Sequence, residues 1–220
     1  MRARLFPAVI LCAVAALAMT KVTAGGHSGP RSSRRPEITP AVRAAGLRFD
    51  PALASSDRAW VLAAIRSARP EARRLIDEVD GMVVVGPMPP QRLAIGLMMP
   101  LSPDHYAIRL DVANLDGYEE PDRNTVVLHE LGHVIDFALL DDRLRERLYN
   151  SIPRSGSCVS VAEPRGDCAA PRERFADTFA KWALRGAVSL VGAGYDVAAP
   201  ASLEDWGAPL AQLAAGLPAG

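Results

Sequence analysis

From residue 55 onward, apolar positions fall into helical and then strand spacings. Trp60, Leu62, Ala63 and Ile65 recur at helical intervals behind Ser55-Ser56-Asp57, whose side-chain oxygens suit a helix cap. Pro70 ends that helix, and a second runs from Glu71 to Val79 with Leu75, Ile76 and Val79 as its apolar side. Asp80-Gly81 turns the chain into Met82-Val83-Val84-Val85-Gly86, whose β-branched run predicts a strand. Leu93 to Met98 and Tyr106 to Val112 predict two more; in the latter Tyr106, Ile108, Leu110 and Val112 alternate with Ala107, Arg109 and Asp111, as in a strand with one wet face. Helices dominate from Asn124, with Asp122 or Asn124 placed to cap the first of them, and a last helix spans Ser202 to Ala215. Helices, a small sheet and then helices predict an α+β domain over residues 55–220.

The first residues change the picture of compartment. Arg2 and Arg4 precede an apolar run from Leu5 to Ala18, and Val22-Thr23-Ala24 offers small residues where a signal peptidase reads, so residues 1–24 are read as a secretory signal. The run falls short of the roughly 20 residues a membrane-spanning helix needs. An uncleaved N-terminal anchor is the alternative. Residues 25–54 mix Gly, Ser, Pro and Arg with almost no apolar content and cannot offset their ordering entropy, which predicts a disordered linker or a short propeptide cut near Arg34-Arg35. The expected location is secreted or extracytoplasmic, with no stable membrane span once the signal is removed.

Charge excludes one class of partner. Cleavage after Ala24 removes Arg2, Arg4 and Lys21 and no acid, so 25 basic residues become 22 against 25 acidic, a formal charge of −3. Such a surface does not attract nucleic acid. The cysteines left are Cys158 and Cys168, separated by a short loop that contains Gly166. In an oxidising compartment an even pair predicts a disulfide; two free thiols are the alternative.

The chemistry lies in His129-Glu130-Leu131-Gly132-His133. At about 100° per residue, His129 and His133 project from one side of a helix, one turn apart, where two imidazoles can meet one Zn2+ without straining the backbone. Glu130 points elsewhere on the turn, where a carboxylate that is not a ligand can take a proton from an activated water. A chance His-x-x-x-His on a solvated helix is the competing account, so the question becomes whether a third ligand exists.

Pro171-Arg172-Glu173-Arg174-Phe175-Ala176-Asp177-Thr178-Phe179-Ala180-Lys181-Trp182 supplies one. Phe175, Phe179 and Trp182 form an apolar stripe, and Glu173 and Asp177 an acidic stripe roughly opposite. An acidic stripe faces water or something positive. On the second reading Glu173 is the third ligand and Asp177, one turn on, accepts the free ring N–H of a ligating histidine. On the first, Arg172, Arg174 and Lys181 are its exposed salt partners.

His129-Glu130-Leu131-Gly132-His133-Val134-Ile135-Asp136, followed by Glu173-Arg174-Phe175-Ala176-Asp177-Thr178-Phe179, resembles the catalytic core of the gluzincin metallopeptidases, and most of all the catalytic domain of the anthrax lethal factor type. The similarity covers roughly residues 105–185. It implies a zincin-like domain, one Zn2+ bound by His129, His133 and Glu173, and Glu130 as general base. Leu139 stands where the metzincin pattern has its third histidine. The family's tyrosine seven residues before the ligand glutamate is replaced here by Gly166. The oxyanion role it is thought to serve would pass to Tyr149, Tyr195 or His105.

The expected activity is therefore a secreted zinc endopeptidase acting on peptide or protein substrates, with the strand Tyr106 to Val112 holding an extended substrate by edge pairing. The alternative is a noncatalytic, zinc-stabilised binding module of the cell envelope or extracellular space. Gly132, inside a helix, implies a need for small size against the sheet or near the metal. Asp136 is expected to pair with an arginine at the helix end.

Overall fold

Pro70 forces the residue before it, Arg69, into extended backbone (φ −60°, ψ 154°) and so separates helix α1 (Ser55–Ser67) from helix α2 (Pro70–Val79), which it opens. The computed structural model describes residues 46–88, 94–117, 120–154, 166–187 and 197–218. The expected signal segment, Cys158 and Tyr195 lie outside the described residues. Helix α1 buries Val61, Ala64 and Ile65, a stripe at i, i+3 and i+4; Leu62, one position off that stripe, is 38% exposed despite its expected place on the buried side. Its N-cap is Ala54, without a side-chain bond, so Ser55 and Asp57 do not cap it. Leu75, Ile76 and Val79 of α2 are buried as their spacing predicts.

The sheet has four strands among the described residues, β1 (Arg48–Phe49), β2 (Val83–Pro87), β3 (Gly96–Ser102) and β4 (His105–Leu110), in the order β1-β2-β4-β3. β1 and β4 each pair parallel to β2, and β3 returns antiparallel to β4. The ordered fold thus begins ahead of residue 55, since Arg48 and Phe49 pair with Val84 and Val85, and Leu53 is buried. A two-residue strand that takes its hydrogen bonds from a neighbour carries no periodicity of its own. Val83 and Val85 share an inward face with Tyr106, Ile108 and Leu110, all buried.

Two strand expectations are corrected. The last predicted strand stops at Leu110, because Val112 begins a short helix, α3 (Val112–Leu115), capped by the Asp111 carboxylate. β4 also runs between β2 and β3, so it has no wet edge for a substrate; Ala107, expected on a wet face, is 1% exposed. The outer strand on that side is β3.

Helix α4 (Glu120–Leu139) carries the histidine motif across β3 and α1 and packs most extensively on α6 (Pro171–Ala183). It starts ahead of Asp122 and Asn124, which therefore lie inside its first turns, both buried, and not at the cap. Helix α5 (Asp142–Asn150) is capped by Asp141, whose carboxylate accepts from the Leu144 N–H at 2.7 Å. The last helix, α7 (Leu203–Gly216), is capped by Ser202 and agrees with the predicted span to a residue at each end. The described residues thus form a mixed α+β fold of seven α-helices and a small sheet.

Candidate metal centre

Helix α6 is buried on both of its stripes. Phe175, Phe179 and Trp182 meet Trp206 of α7 and Tyr149 of α5 in a run of ring contacts, with centroids 5.7 to 6.5 Å apart. This cluster fixes the rotation of α6 about its axis, and the rotation decides where the opposite stripe points. Glu173 and Asp177 consequently face α4 from the interior, and the exposed acidic face considered as an alternative does not form.

Glu173 meets both histidines. Its Oε2 lies 3.3 Å from His129 Nε2 and 3.0 Å from His133 Nε2, and the three donor atoms all lie within 4.8 Å of one another. Two donors bound at 2.0 to 2.1 Å to one tetrahedral zinc stand about 3.3 Å apart, so the spacing fits such an ion. The donor chemistry fits as well, because two imidazoles and one carboxylate are the catalytic zinc set that leaves a position open. The imidazoles stand edge to face, at 84°, with centroids 4.8 Å apart.

Electrostatics bind the group together. Burial pulls the His129 imidazole down, but the Glu173 hydrogen bond and the charges of Glu130, Glu173 and Asp177 outweigh it and leave His129 above its ordinary value. Burial pushes Glu173 up, and the hydrogen bonds and charges of His129 and His133 override it, leaving this carboxyl well below the usual range. Glu130 is 3% exposed, and burial raises it; the two histidines and the Met98 backbone N–H work against that rise without cancelling it. A carboxyl raised in this way is suited to proton transfer.

Gly132 permits the close approach of α4 and α6. A Cβ there would stand 3.2 Å from Ala176 Cα and 3.1 Å from Phe179 Cδ1. Its small size therefore serves α6, not the sheet or space beside the metal.

The residues around the cluster depart from expectation in several places. Asp177 Oδ2 takes a hydrogen bond from Lys181 Nζ at 2.6 Å, and Lys181 also donates to the Val197 carbonyl. His133 Nδ1 is buried and makes no hydrogen bond among the described residues. Asp177 thus acts on His129 through its charge, with one oxygen committed to a buried lysine. Asp136 pairs with Arg145 Nε at 2.8 Å, as expected at a helix end, and also accepts from the Tyr149 hydroxyl at 2.5 Å. Tyr149 is therefore committed to Asp136, with burial and then that bond holding its phenol above its ordinary value. His105 sits exposed at the β3–β4 turn, its Nδ1 3.2 Å from Ser102 Oγ. Gly166 adopts a left-handed φ of +57°, backbone that a tyrosine would enter only with strain. Cys168 is disulfide-bonded, while its expected partner Cys158 lies outside the described residues.

Two features escaped the sequence reading. Gly96 of β3 lies against Glu130, and Lys181, expected as an exposed salt partner of the acidic stripe, holds Asp177 from the interior. A glycine inside a predicted strand signals close backbone approach, so the first was detectable in kind. The second was not, because nothing in the sequence distinguishes a buried lysine from a surface one. No family model matches the chain, and comparisons with curated proteins and with solved structures return no similar protein.

Proposed function

We propose that the protein is an exported zinc-dependent peptidase with a zincin-like catalytic domain of gluzincin type. The observation that carries this reading is the meeting of His129, His133 and Glu173 in one buried three-donor group, with the Glu130 carboxyl beside it. Zinc held by those three residues would supply Lewis acidity toward a substrate carbonyl and a water. Glu130 would take a proton from the attacking water and deliver it to the leaving amine as the peptide C–N bond breaks. An extended substrate lies along the outer strand β3, next to α4, where the displaced edge-pairing role now falls.

The test is the Glu130→Gln variant of the exported chain, assayed for zinc content and for cleavage of casein and broad peptide libraries, with and without a chelator. The reading requires stoichiometric zinc in both proteins and chelator-sensitive cleavage by the parent alone. Zinc without cleavage in the parent would favour the noncatalytic binding module. Tyr149's bond to Asp136 is the observation on that side, since it occupies one of the residues expected to steady an oxyanion.

A further inference from the structure

The carboxylate of Glu130 sits over a residue with no side chain. A Cβ built on Gly96 would fall inside contact distance of Glu130 Oε1 and 3.0 Å from both Glu130 Cδ and Val126 Cγ1. Gly96 pairs with Leu110 across the β3–β4 ladder, on the outer strand that α4 crosses.

We propose that Gly96 is a positioning residue: its missing side chain leaves a seat on β3 that fixes the Glu130 carboxylate beside the histidine cluster. The inference rests on the peptidase reading for its consequence, but its geometry does not. Glu130 Oε1 is the far end of a flexible side chain, so a methyl group at residue 96 is accommodated by moving the carboxylate, and the fold survives. In a buried site the carboxylate can yield only by leaving its seat. A base displaced by about 1 Å loses on the order of 100-fold in rate.

The experiment is a double-mutant cycle on the full chain, Gly96→Ala and Glu130→Ala singly and together, read by thermal unfolding, by Co2+ titration and, for Gly96→Ala, by peptidase kinetics. Gly96→Ala is expected to bind Co2+ with parental affinity, to lose kcat by roughly 100-fold and to keep KM within about threefold. Its Tm deficit should shrink when Glu130 is also alanine, because the clashing partner is gone. A Tm deficit that is the same in both backgrounds overturns the seat, as does an unchanged kcat in an active parent. If Gly96→Ala fails to fold, the double variant must recover folding, and its failure to do so also overturns the proposal. A parent without peptidase activity would refute the proposed function while the Tm coupling still decides the role of Gly96.

Discussion

Glu173 Oε2 stands 3.0 Å from His133 Nε2, although 40 residues of chain separate them and each belongs to a different helix. Both side chains are buried, and neither helix could hold its polar stripe inward without the other. Replacing Glu173 with Gln keeps the shape and removes the charge. Zinc affinity should fall by roughly 100-fold or more, beyond the loss usual for residues outside the ligand set, with α-helical content unchanged. Metal titration followed by circular dichroism checks it; parental affinity in Glu173→Gln would remove the third ligand.

Protons and zinc compete for the same atoms, and the pH dependence of stability should therefore change form with metal. His129 lies above its ordinary value when folded, so in metal-free protein its contribution is full below about pH 6.5 and is lost as pH rises through the folded value. Glu173 lies below its ordinary value, so its contribution is present above about pH 4.5 and is lost as pH falls through the folded value. The chelated protein should show its greatest contribution from this pair in mildly acid solution. Saturating zinc should reverse the trend on the alkaline side, since binding releases the histidine proton and strengthens as pH rises. Tm measured from pH 5 to 8, with zinc and with chelator, reads both curves.

The motif helix and its histidine pair were legible in the sequence because helical geometry alone places His129 and His133 on one side. That Glu173 faces inward did not follow from the pattern of its own helix, since an apolar stripe of Phe175, Phe179 and Trp182 leaves the opposite acidic stripe free to face water; only the histidine motif upstream favoured the inward reading. The order of the strands was not legible. The alternation of Tyr106 to Val112 signals one wet face and says nothing of position in the sheet, and only the pairing reveals that Tyr106 to Leu110 is covered on both flanks by β2 and β3. The tie of Tyr149 to Asp136 was hidden for a similar reason, since α5 must fold back on α4 to make it; Lys181 was named as a salt partner at i+4 from Asp177, but its burial was not legible.

Tyr149 gives a direct test of the oxyanion expectation. Its hydroxyl donates to Asp136 at 2.5 Å, and Arg145 bonds the same carboxylate, joining α5 to the end of α4. Tyr149→Phe should lower stability by about 1 kcal/mol, the ordinary net value of such a bond, and leave kcat unchanged. A large fall in kcat at constant stability would return the hydroxyl to the reacting centre.

Gly132→Ala sets two effects against each other. Alanine favours the helix by about 1 kcal/mol over glycine. Against that, the new methyl meets Ala176 Cα at 3.2 Å, a backbone neighbour that cannot rotate away, and overpacking of this kind costs about 1 to 3 kcal/mol. The second effect should win, and because α4 and α6 are pushed apart the ligands separate with them. The measurement is paired: a lower Tm for metal-free protein and weaker zinc binding, with a normal Tm and weaker zinc as the result that would contradict it.

Lys181 and Asp177 are 4% and 2% exposed, one turn apart on α6, with Nζ 2.6 Å from Oδ2. Desolvating two charges is expensive, and the pair persists because the ammonium is also satisfied by the Val197 carbonyl. Lys181→Met removes the cation and leaves a carboxylate stranded in the interior, a change that costs about 3 to 5 kcal/mol where one partner of a buried pair is lost. Asp177→Asn in addition should restore much of that loss, because the stranded charge disappears, whereas a merely packing role for the lysine stem would make the two losses add. Denaturant unfolding of the four proteins in the cycle gives the coupling. Asp177 also raises His129 through its charge, so the double variant should bind zinc at a lower pH than the parent, a shift that loss of stability alone would not produce.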